Sequence, residues 1–430
     1  MAGARALTLD LLLRAEAAGQ YADRALSAAL DRAALSEADR AFVTALFYGV
    51  TERRVTLDAI IDERSKLAPS AVEAQVRAIL RMGLYQLLYM DRVPDHAAIN
   101  EAVELTPRRS KGFVNALLRG FCRDGKPLPT LPEDAPASVR FSVAYAVPAL
   151  LAERFIAIFG EERAASLLEA FTHHPPHTVR VNTLRESREA FMATVPGARP
   201  TLYAPHGVIL PPDAPLLDLV RAGRCFVEDE ASQIAVAAFD ARPGERVLDL
   251  CAAPGSKSFG AALDMGDRGE VFAFDLHENK LSLIRDGAAR LGLACIRVAA
   301  ADARAATPAK LGTFDRVLCD VPCSGFGVLW KKPDVRFKDL EEAKGLVPVQ
   351  AAILAAGAAC VRPGGLLVYS TCTLLPEENE EQVCRFLSEH PDFAPAPFAV
   401  GGLNTGGLLT LAPDTYGTDG FFVAALRKRE

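Results

Sequence analysis

The stretch that decides the fold is RVLDLCAAPGSK, residues 246–257. A mostly apolar segment precedes a loop of small residues, and a helical pattern starts directly after the loop. A strand, a small-residue loop and a helix in this order are typical of parallel α/β sheets. Small residues let a ligand come close to the backbone, and the free N–H groups of a helix start bind polar ligand groups. The stretch therefore predicts a ligand-binding loop at one edge of a sheet.

Strands and helices continue to alternate from this stretch to the C-terminus. The pattern predicts an α/β, Rossmann-like domain with a mostly parallel sheet. The predicted strands are Arg246–Leu250, Glu270–Asp275, Ile296–Ala300, Phe314–Asp320, Gly365–Thr371 and Phe421–Leu426. Ligands of such sheets bind at the carboxyl ends of the strands, so the loops after the first five strands are where we expect the site.

Two further regions precede the sheet domain, as a chain of 430 residues leads one to expect. Residues 1–130 show helical periodicity and predict an all-helical domain. The proline-rich segment Asp124–Pro136 cannot continue a helix and predicts a linker. Residues 137–230 combine a helical pattern with a short β-stretch at Thr178–Asn182, which predicts a small α/β subdomain. The sheet domain then takes residues 231–430.

The bulk composition is that of an ordinary soluble protein, with 50% hydrophobic and 24% charged residues. No uncharged apolar run reaches the roughly 18 residues of a membrane span, and no signal-peptide pattern is evident, so we expect a cytoplasmic protein. The nine cysteines are scattered without metal-ligand spacing, which predicts free thiols and no metal site. The net charge of −6 does not exclude nucleic acid, because phosphate binding depends on a local basic surface. We expect a monomer.

The loop after the first predicted strand is the candidate cofactor site. Asp275 ends the second strand twenty residues after Gly255, where a carboxylate can accept both hydroxyls of an adenosine ribose. Asp302 follows the third strand and could reach the adenine edge; a loop acid without a function is the alternative for it. The loop lacks Gly-x-Gly-x-x-Gly, so adenosine with a small charged tail fits better than a dinucleotide. The candidate cofactor residues are Cys251, Ala252, Ala253, Pro254, Gly255, Ser256, Lys257, Asp275, Asp302 and Asp320.

Two cysteines stand at the ends of neighbouring predicted strands. Cys323 comes three residues after Asp320, and Cys372 directly follows the fifth strand. One cysteine in such a place is more often a small buried hydrophobe than a nucleophile. Two of them at one rim of the sheet, beside the cofactor loop, indicate thiolate chemistry instead.

Methylation of a cytosine at carbon 5 is a reaction that needs such thiols. Addition of a thiolate at carbon 6 makes carbon 5 nucleophilic toward a methyl sulfonium, and covalent catalysis thereby divides one difficult step into easier ones. Asp320 is placed to hydrogen-bond N3 of the base, and a second thiol can assist when the proton on carbon 5 leaves. We therefore take Cys372, Cys323 and Asp320 as the candidate catalytic residues. Residue chemistry alone permits either cysteine to attack.

A basic and aromatic segment follows Cys323. Cations that alternate with aromatic residues suit contacts to the backbone and bases of single-stranded RNA, whereas a solvated charge cluster around an inward-packed tryptophan is the alternative. The candidate RNA-binding residues are Trp330, Lys331, Lys332, Arg336 and Lys338.

Together these segments resemble the NOL/NOP/Sun (NSUN) family of RNA cytosine-C5 methyltransferases. The matching pieces are LDLCAAPGSK at 248–257, the strand-end Asp275, ADAR at 301–304, DVPCSG at 320–325, STCT at 370–373, PEENE at 376–380 and TDGFF at 418–422. The chain departs from the family where Ser256 and Ser258 replace the more usual glycine and threonine, and where Thr373 replaces serine.

The resemblance implies a class I methyltransferase fold with S-adenosyl-L-methionine as cofactor. It also implies an order for the thiols, in which Cys372 attacks the base and Cys323 assists product release. Residues 1–130 resemble the NusB-like helical domain, which implies RNA binding. A NusB-like domain fused to this catalytic domain is the layout of the family's enzymes for small-subunit ribosomal RNA, so rRNA is favoured over tRNA as the partner.

Three alternatives remain open from the sequence. The catalytic motifs are shared with enzymes that methylate tRNA cytosines. A non-catalytic RNA-binding assembly factor could keep the same fold, although such a protein would not need two strand-end thiols. A methyltransferase for a protein or a small molecule would likewise need neither the thiols nor Trp330 among lysines.

Overall fold

The computed structural model describes residues 2–18, 22–132 and 134–430. Within it the chain forms two compact units. The first comprises Met1–Thr172 together with the short segment Lys332–Phe337, and the second comprises His173–Lys331 and Lys338–Glu430. The three domain ranges given above stay a prediction.

The first unit is all-helical, as the periodicity predicts. Its helices are α1 (Ala2–Ala18), α2 (Ala22–Arg32), α3 (Glu37–Arg64), α4 (Ala74–Tyr89), α5 (Asp95–Leu105), α6 (Lys111–Arg123), α7 (Ala137–Tyr145), α8 (Ala149–Phe159) and α9 (Glu161–Ala170). The long helix α3 begins at Ser36, whose side chain accepts a hydrogen bond from the Asp39 N–H and caps the helix. Phe47 and Leu57 of α3 pack with Leu80 of α4 and Phe121 of α6 in one buried core.

The segment Lys332–Phe337 belongs to this helical unit although it lies far along the chain. Its 3-10 turn, Pro333–Phe337, places Arg336 at 2% exposure. The Arg336 guanidinium donates through Nη1 to the carbonyl oxygens of Glu52 at 2.9 Å and of Ala146 at 3.0 Å. Burial lowers the pKa of Arg336 to about 10. These contacts make Arg336 part of the interior of the first unit.

The second unit begins with a small antiparallel sheet. Its strands are β1 (His177–Val181), β2 (Arg199–Pro200), β3 (Gly207–Leu210) and β4 (Cys225–Val227), in the order β2-β3-β1-β4. Two short helices, α10 (Arg188–Ala193) and α11 (Leu216–Arg221), lie between the strands in the sequence. Phe191 of α10 and Leu219 of α11 pack with Val179 of β1 in a separate small core.

The main sheet of the second unit is mostly parallel. Its elements in chain order are α12 (Glu230–Phe239), β5 (Arg246–Asp249), α13 (Ser256–Asp264), β6 (Glu270–Asp275), α14 (Leu281–Leu291), β7 (Ile296–Ala300), α15 (Pro308–Leu311), β8 (Phe314–Asp320), α16 (Leu340–Cys360), β9 (Val361–Thr371), α17 (Glu380–Glu389), β10 (Phe393–Pro395), β11 (Ala399–Val400), β12 (Leu403–Asn404), β13 (Leu408–Leu411), α18 (Pro413–Tyr416) and β14 (Phe421–Lys428). The strand order is β10-β14-β9-β8-β5-β6-β7, with β13 also paired to β14. Strands β5 to β9 pair in parallel, and β14 runs antiparallel to β9.

Helices cover both faces of this sheet, which is why its central strands are apolar on both sides. Val247 of β5 packs with α12, α13 and α14 in one core, and the adjacent Leu248 packs with α16 and α17 in the other. The predicted α/β, Rossmann-like sheet is thus confirmed. The strands β6, β7 and β8 have the predicted bounds, and the other three differ from the prediction only at their ends.

Helix α16 is the one helix of the described residues that is long and apolar enough to span a membrane by length and composition. It packs against β8 and β9, and its Ile353 and Leu354 are buried in the core of the sheet. We therefore describe α16 as a core helix of the second unit.

Candidate active site

The loop after β5 turns sharply into α13 at Gly255. This residue has a φ of +115°, a conformation that side-chain-bearing residues rarely adopt. A Cβ atom at Gly255 would also lie 2.4 Å from the ring of Phe259, so only glycine fits here. Helix α13 then starts at Ser256, directly after the turn. The local sequence thereby aims the free N–H groups of a helix start at the rim of the sheet.

Asp275 and Asp302 follow β6 and β7 at the same rim. The Asp275 carboxylate is 7% exposed and accepts hydrogen bonds from the N–H groups of Ala253 at 3.3 Å and His277 at 2.9 Å. Asp302 is more exposed and pairs with Arg304 at 2.7 Å, and this guanidinium lowers the pKa of the Asp302 carboxyl. Asp275 is therefore held rigidly against the cofactor loop, whereas Asp302 caps a short turn beside it.

Lys257 and Asp320 connect the cofactor loop to the end of β8. The Lys257 Nζ donates to Asp320 Oδ2 at 2.7 Å, and the Ser370 hydroxyl of β9 donates to Asp320 Oδ1 at 2.7 Å. Lys257 is 9% exposed, so little water competes for this pair. Each carboxylate oxygen of Asp320 keeps acceptor capacity for a further hydrogen bond. The arrangement fixes an acceptor group at the carboxyl end of the central strands.

The two candidate cysteines lie side by side. Strands β8 and β9 are adjacent and parallel, with Asp320 paired to Ser370 in the register. The Sγ atoms of Cys323 and Cys372 are 3.3 Å apart, and the Cys372 N–H points at Cys323 Sγ, also at 3.3 Å. Neither cysteine forms a disulfide, and both are partly buried. The sheet therefore brings together the two thiols that are 49 residues apart in the sequence.

The contact between the sulfurs also changes the electrostatics of Cys323. The hydrogen bond to Cys372 raises the pKa of Cys323 well above its usual value, and burial and the charges of Cys372 and Glu378 add to the shift. A raised pKa favours the protonated form of Cys323. The Cys372 N–H, which points at Cys323 Sγ, acts in the opposite direction.

Two buried carboxyls behind this site were missed by sequence reasoning. Burial raises the pKa of Asp249 to about 7, although Ser258 Oγ donates to it at 2.7 Å. Burial likewise raises the pKa of Glu228 to about 7, with Arg180 and Lys257 acting in the opposite direction. Asp249 ends β5 inside the quoted loop stretch, so its position was the available signal. Glu228 lies in VEDEASQ, residues 227–233, and the resemblance of this stretch to the family's entry into the catalytic domain was the available signal.

The cations predicted to bind RNA have protein partners in the structure. Lys331 forms ion pairs with Asp229 and Asp419, and Trp330 Nε1 donates to Asp419 Oδ1 at 2.6 Å. Lys338 Nζ donates to the carbonyl oxygen of Ser324 at 2.8 Å. Arg336 is buried in the first unit as described above, and Lys332 is exposed. The contact to RNA stays a prediction for these five residues, and the geometry favours Lys332 among them.

The described residues contain no group of three or more histidine, cysteine or acidic side chains that could hold a metal ion.

Family models match three parts of the chain. Residues 236–427 match the 16S rRNA methyltransferase RsmB/F family, and residues 2–123 match the NusB family. Residues 147–215 match the ferredoxin-like domain of RsmF/B-like methyltransferases. The first match covers most of the sheet domain, the second covers the helical region, and the third lies in the segment between them.

Relatives of known name match over the whole length. The probable ribosomal RNA small subunit methyltransferase B of Bacillus subtilis (strain 168) is 35% identical over 445 aligned residues, covering 99% of this chain and 98% of the relative. That of Synechocystis sp. is also 35% identical, with complete coverage of both chains. Among solved structures, PH0851 superimposes with a TM-score of 0.78 at 26% identity and covers 99% of this chain and 98% of its own. The chain therefore belongs to the ribosomal RNA small subunit methyltransferase B family.

Proposed function

We propose that this protein forms 5-methylcytosine in 16S rRNA through a covalent adduct between Cys372 and the base. The observation that carries the proposal is the contact of the Cys323 and Cys372 sulfurs at 3.3 Å, beside the Asp320 carboxylate at the rim of the sheet. Packing at the ends of two strands does not require two thiols in contact with each other. Thiolate addition to carbon 6 of a pyrimidine is the reaction that uses both.

S-adenosylmethionine is the cofactor, and the residues of the loop fit it. Asp275 keeps acceptor capacity on both oxygens for ribose hydroxyls, and Cys251–Lys257 supply small side chains and a helix start. We assign Asp302, which caps the turn after β7, to the edge of the adenine. When bound, the cofactor supplies an electrophilic methyl group on a positively charged sulfur.

Cys372 performs the first chemical step. Its thiolate adds to carbon 6 of the cytosine, forming a carbon–sulfur bond and moving the electrons of the C5–C6 double bond into the ring. Carbon 5 then has the electron density to take a methyl group. The base must first leave its stack to reach a sulfur at the end of a strand.

Asp320 and Lys257 stabilise the charge that develops on the base. Asp320 accepts hydrogen bonds from the amino group of the cytosine and from N3 once N3 gains a proton. Lys257, which donates to Asp320 at 2.7 Å, is the ammonium within reach to supply that proton. The same proton returns when the carbon–sulfur bond breaks, so the pair ends in its starting state.

Cys323 performs the release step. After methyl transfer the proton on carbon 5 must be removed, and its electrons expel the Cys372 thiolate from carbon 6. Cys372 is then a neutral thioether, so the largest cause that raises the pKa of Cys323 has disappeared. Cys323 then loses its own proton to solvent more easily, and the thiolate so formed takes the proton from carbon 5 and ends as a thiol again.

The substrate class rests on the relatives, which are named as methyltransferases of small-subunit ribosomal RNA. The NusB match over residues 2–123 supports a role of the helical region in RNA binding. A bacterial-type rRNA modification enzyme would act in the cytoplasm as a monomer.

The test uses the purified full chain with tritiated S-adenosylmethionine and three substrates: naked 16S rRNA, isolated small subunits and bulk tRNA. We expect label in 16S rRNA, with a single new cytosine that resists bisulfite conversion. Label in tRNA alone would contradict the rRNA assignment and identify tRNA as the substrate. Label at a uracil would refute the cytosine assignment, and label at a purine would refute the thiolate mechanism.

A further inference from the structure

Glu378 is a buried carboxylate that touches both strand-end loops. It lies in the turn Pro376–Glu378 after β9 and is 0% exposed. Its Oε2 accepts hydrogen bonds from the Ser324 N–H at 2.9 Å and from Gln350 Nε2 at 2.7 Å. Its Oε1 has no hydrogen-bond partner among the described residues. A buried carboxylate with a bare oxygen is costly, and such exceptions call for an explanation.

The contacts of Glu378 fix the backbone on both sides of Cys323. Ser324, the next residue, is held directly by the carboxylate. Pro322, the preceding residue, is held through Gln350, whose Nε2 also donates to the Pro322 carbonyl oxygen at 3.0 Å. The Glu378 carboxylate therefore holds the backbone on both sides of Cys323, and Ser324 has further contacts with the Thr373 hydroxyl at 2.7 Å and with Lys338 at 2.8 Å.

The same turn is anchored to the strand that carries Cys372. The hydroxyl of Tyr369 donates to the Glu378 carbonyl oxygen at 2.6 Å. The neighbouring Asn379 accepts a hydrogen bond from the Thr371 hydroxyl at 2.5 Å and donates through Nδ2 to the Thr373 carbonyl oxygen at 2.9 Å. The residues on both sides of Cys372 are thus tied to the turn that holds Cys323.

We propose that Glu378 is a positioning residue that sets the distance between the Cys323 and Cys372 sulfurs and so enables the release step. The effect on the release step rests on the proposed function. The effect of Glu378 on the distance between the sulfurs is independent of that function. Cys372 keeps its own anchors, namely the end of β9 and the Gly327 N–H that donates to its carbonyl oxygen at 3.0 Å. Loss of the Glu378 side chain should therefore displace Cys323 more than Cys372.

The carboxylate also contributes charge. It is one of the groups that raise the pKa of Cys323, after the hydrogen bond to Cys372, burial and the charge of Cys372. Glu378 thus helps to keep Cys323 protonated before the adduct forms. A glutamine at this position keeps the two accepted hydrogen bonds through its carbonyl oxygen, removes the charge and places an amide nitrogen where Oε1 has no partner.

The first experiment measures how fast the two thiols form a disulfide in the absence of RNA, a rate that depends on the distance between them. Diamide oxidises two neighbouring thiols to a disulfide and is itself reduced to the hydrazine, and the linked peptides of Cys323 and Cys372 are quantified by mass spectrometry. We expect fast linking in the wild type, in Glu378→Gln and in the matched control Glu381→Ala, an exposed acid of the same run. Linking should be roughly tenfold slower in Glu378→Ala, because a displacement of about 1 Å changes such reactions strongly.

The second experiment follows the reaction with RNA. Glu378→Ala should form the covalent RNA adduct on a denaturing gel but release it roughly ten- to a hundredfold more slowly, while Glu378→Gln restores release. Combined with Cys323→Ala, the Glu378→Ala change should add no further slowing. General loss of stability would instead reduce adduct formation and release together, which would contradict a positioning role.

A third variant covers the case in which Glu378→Ala does not fold. Gln350→Met keeps the carboxylate but removes the link to Pro322, and we expect the same two effects at smaller size. Wild-type rates of linking and release in the folded alanine variant, or in Gln350→Met, would overturn the proposal. Absence of any adduct in Cys323→Ala would count against the proposed function, whereas the linking rates would still decide the role of Glu378.

Discussion

The Lys257 ammonium lies 2.7 Å from the Asp320 carboxylate, and this ion pair joins the cofactor loop to the strand end that carries Cys323. Burial lowers the pKa of Lys257, but the carboxylates of Asp320, Glu228 and Asp249 outweigh it and raise the pKa overall. Lys257 is therefore an ammonium at neutral pH. The Lys257 ammonium is thus paired with Asp320 and also offsets the charges of the buried Glu228 and Asp249.

Lys257→Met should lower both stability and activity. The change leaves Asp320 without its cation, and we expect the free energy of unfolding to fall by about 2–3 kcal/mol. This is less than for a fully buried pair, because the Asp320 side chain is 28% exposed. Urea unfolding measures the loss, and methyl transfer to RNA should fall more than cofactor affinity. Lys310→Met, at an exposed position of α15, is the control and should change neither. Equal effects of the two variants would exclude a role for the ion pair.

Cys372→Ala should abolish methyl transfer and leave cofactor binding intact. The nucleophile is lost, so we expect a reduction of roughly a thousandfold or more, while Asp275 and the loop after β5 are untouched. Tritium transfer to RNA and calorimetric titration of the cofactor measure the two properties. Retained transfer in this variant would refute the assignment of Cys372 as the nucleophile.

Cys323→Ala should trap the enzyme on its substrate. Adduct formation needs only Cys372, whereas release loses its base, and we expect turnover to slow by roughly a hundredfold or more. The adduct is seen as protein of reduced mobility on a denaturing gel that ribonuclease restores. The exposed Cys384→Ala is the matched thiol control. Free protein after turnover with Cys323→Ala would argue against the release role.

Glu228→Gln should stabilise the protein at pH 8 more than at pH 5. Burial raises the pKa of Glu228 from 4.5 to about 7. Between these values the folded protein holds a proton that the unfolded chain has lost, so stability falls as the pH rises through this window, by up to about 3 kcal/mol. Glutamine removes this dependence. Denaturant unfolding at both pH values checks it, and the exposed Glu278→Gln should leave the pH dependence unchanged.

Lys331→Met and Lys332→Met should separate a structural cation from an RNA contact. Lys331 lies between Asp229 and Asp419, which are 7% and 9% exposed, so its loss should cost about 2–3 kcal/mol. Burial and the charge of Asp229 raise the pKa of Asp419 to about 6, so the cost should be larger at pH 8 than at pH 5. Lys332→Met should change stability by less than about 0.5 kcal/mol and weaken RNA binding. The reverse pattern of effects would restore Lys331 as an RNA ligand.

The strands were predictable because buried parallel strands are continuous apolar runs with polar ends. Strand β8, Phe314–Asp320, has the predicted bounds, and its last residue is the candidate catalytic acid. Strand β9 begins earlier than predicted, at Val361, because Arg362, Pro363 and Gly364 look like a loop in the sequence. Val361 pairs with Phe314 of β8 and the pairing resumes at Leu366, so these residues form an irregularity within the strand.

The sequence by itself determined which residues are candidates for the site. Glycine at 255, the acids at 275 and 320 and the thiols at 323 and 372 can be named from local patterns, because each sits where an apolar run ends.

Only the tertiary structure decided how these groups interact and which charges are available. The Sγ contact, the burial of Arg336 and Lys331, and the contacts of Glu378 with Ser324 and Gln350 all join residues distant in the sequence. A residue's periodicity indicates the face it occupies, but its partners depend on how the strands and helices pack.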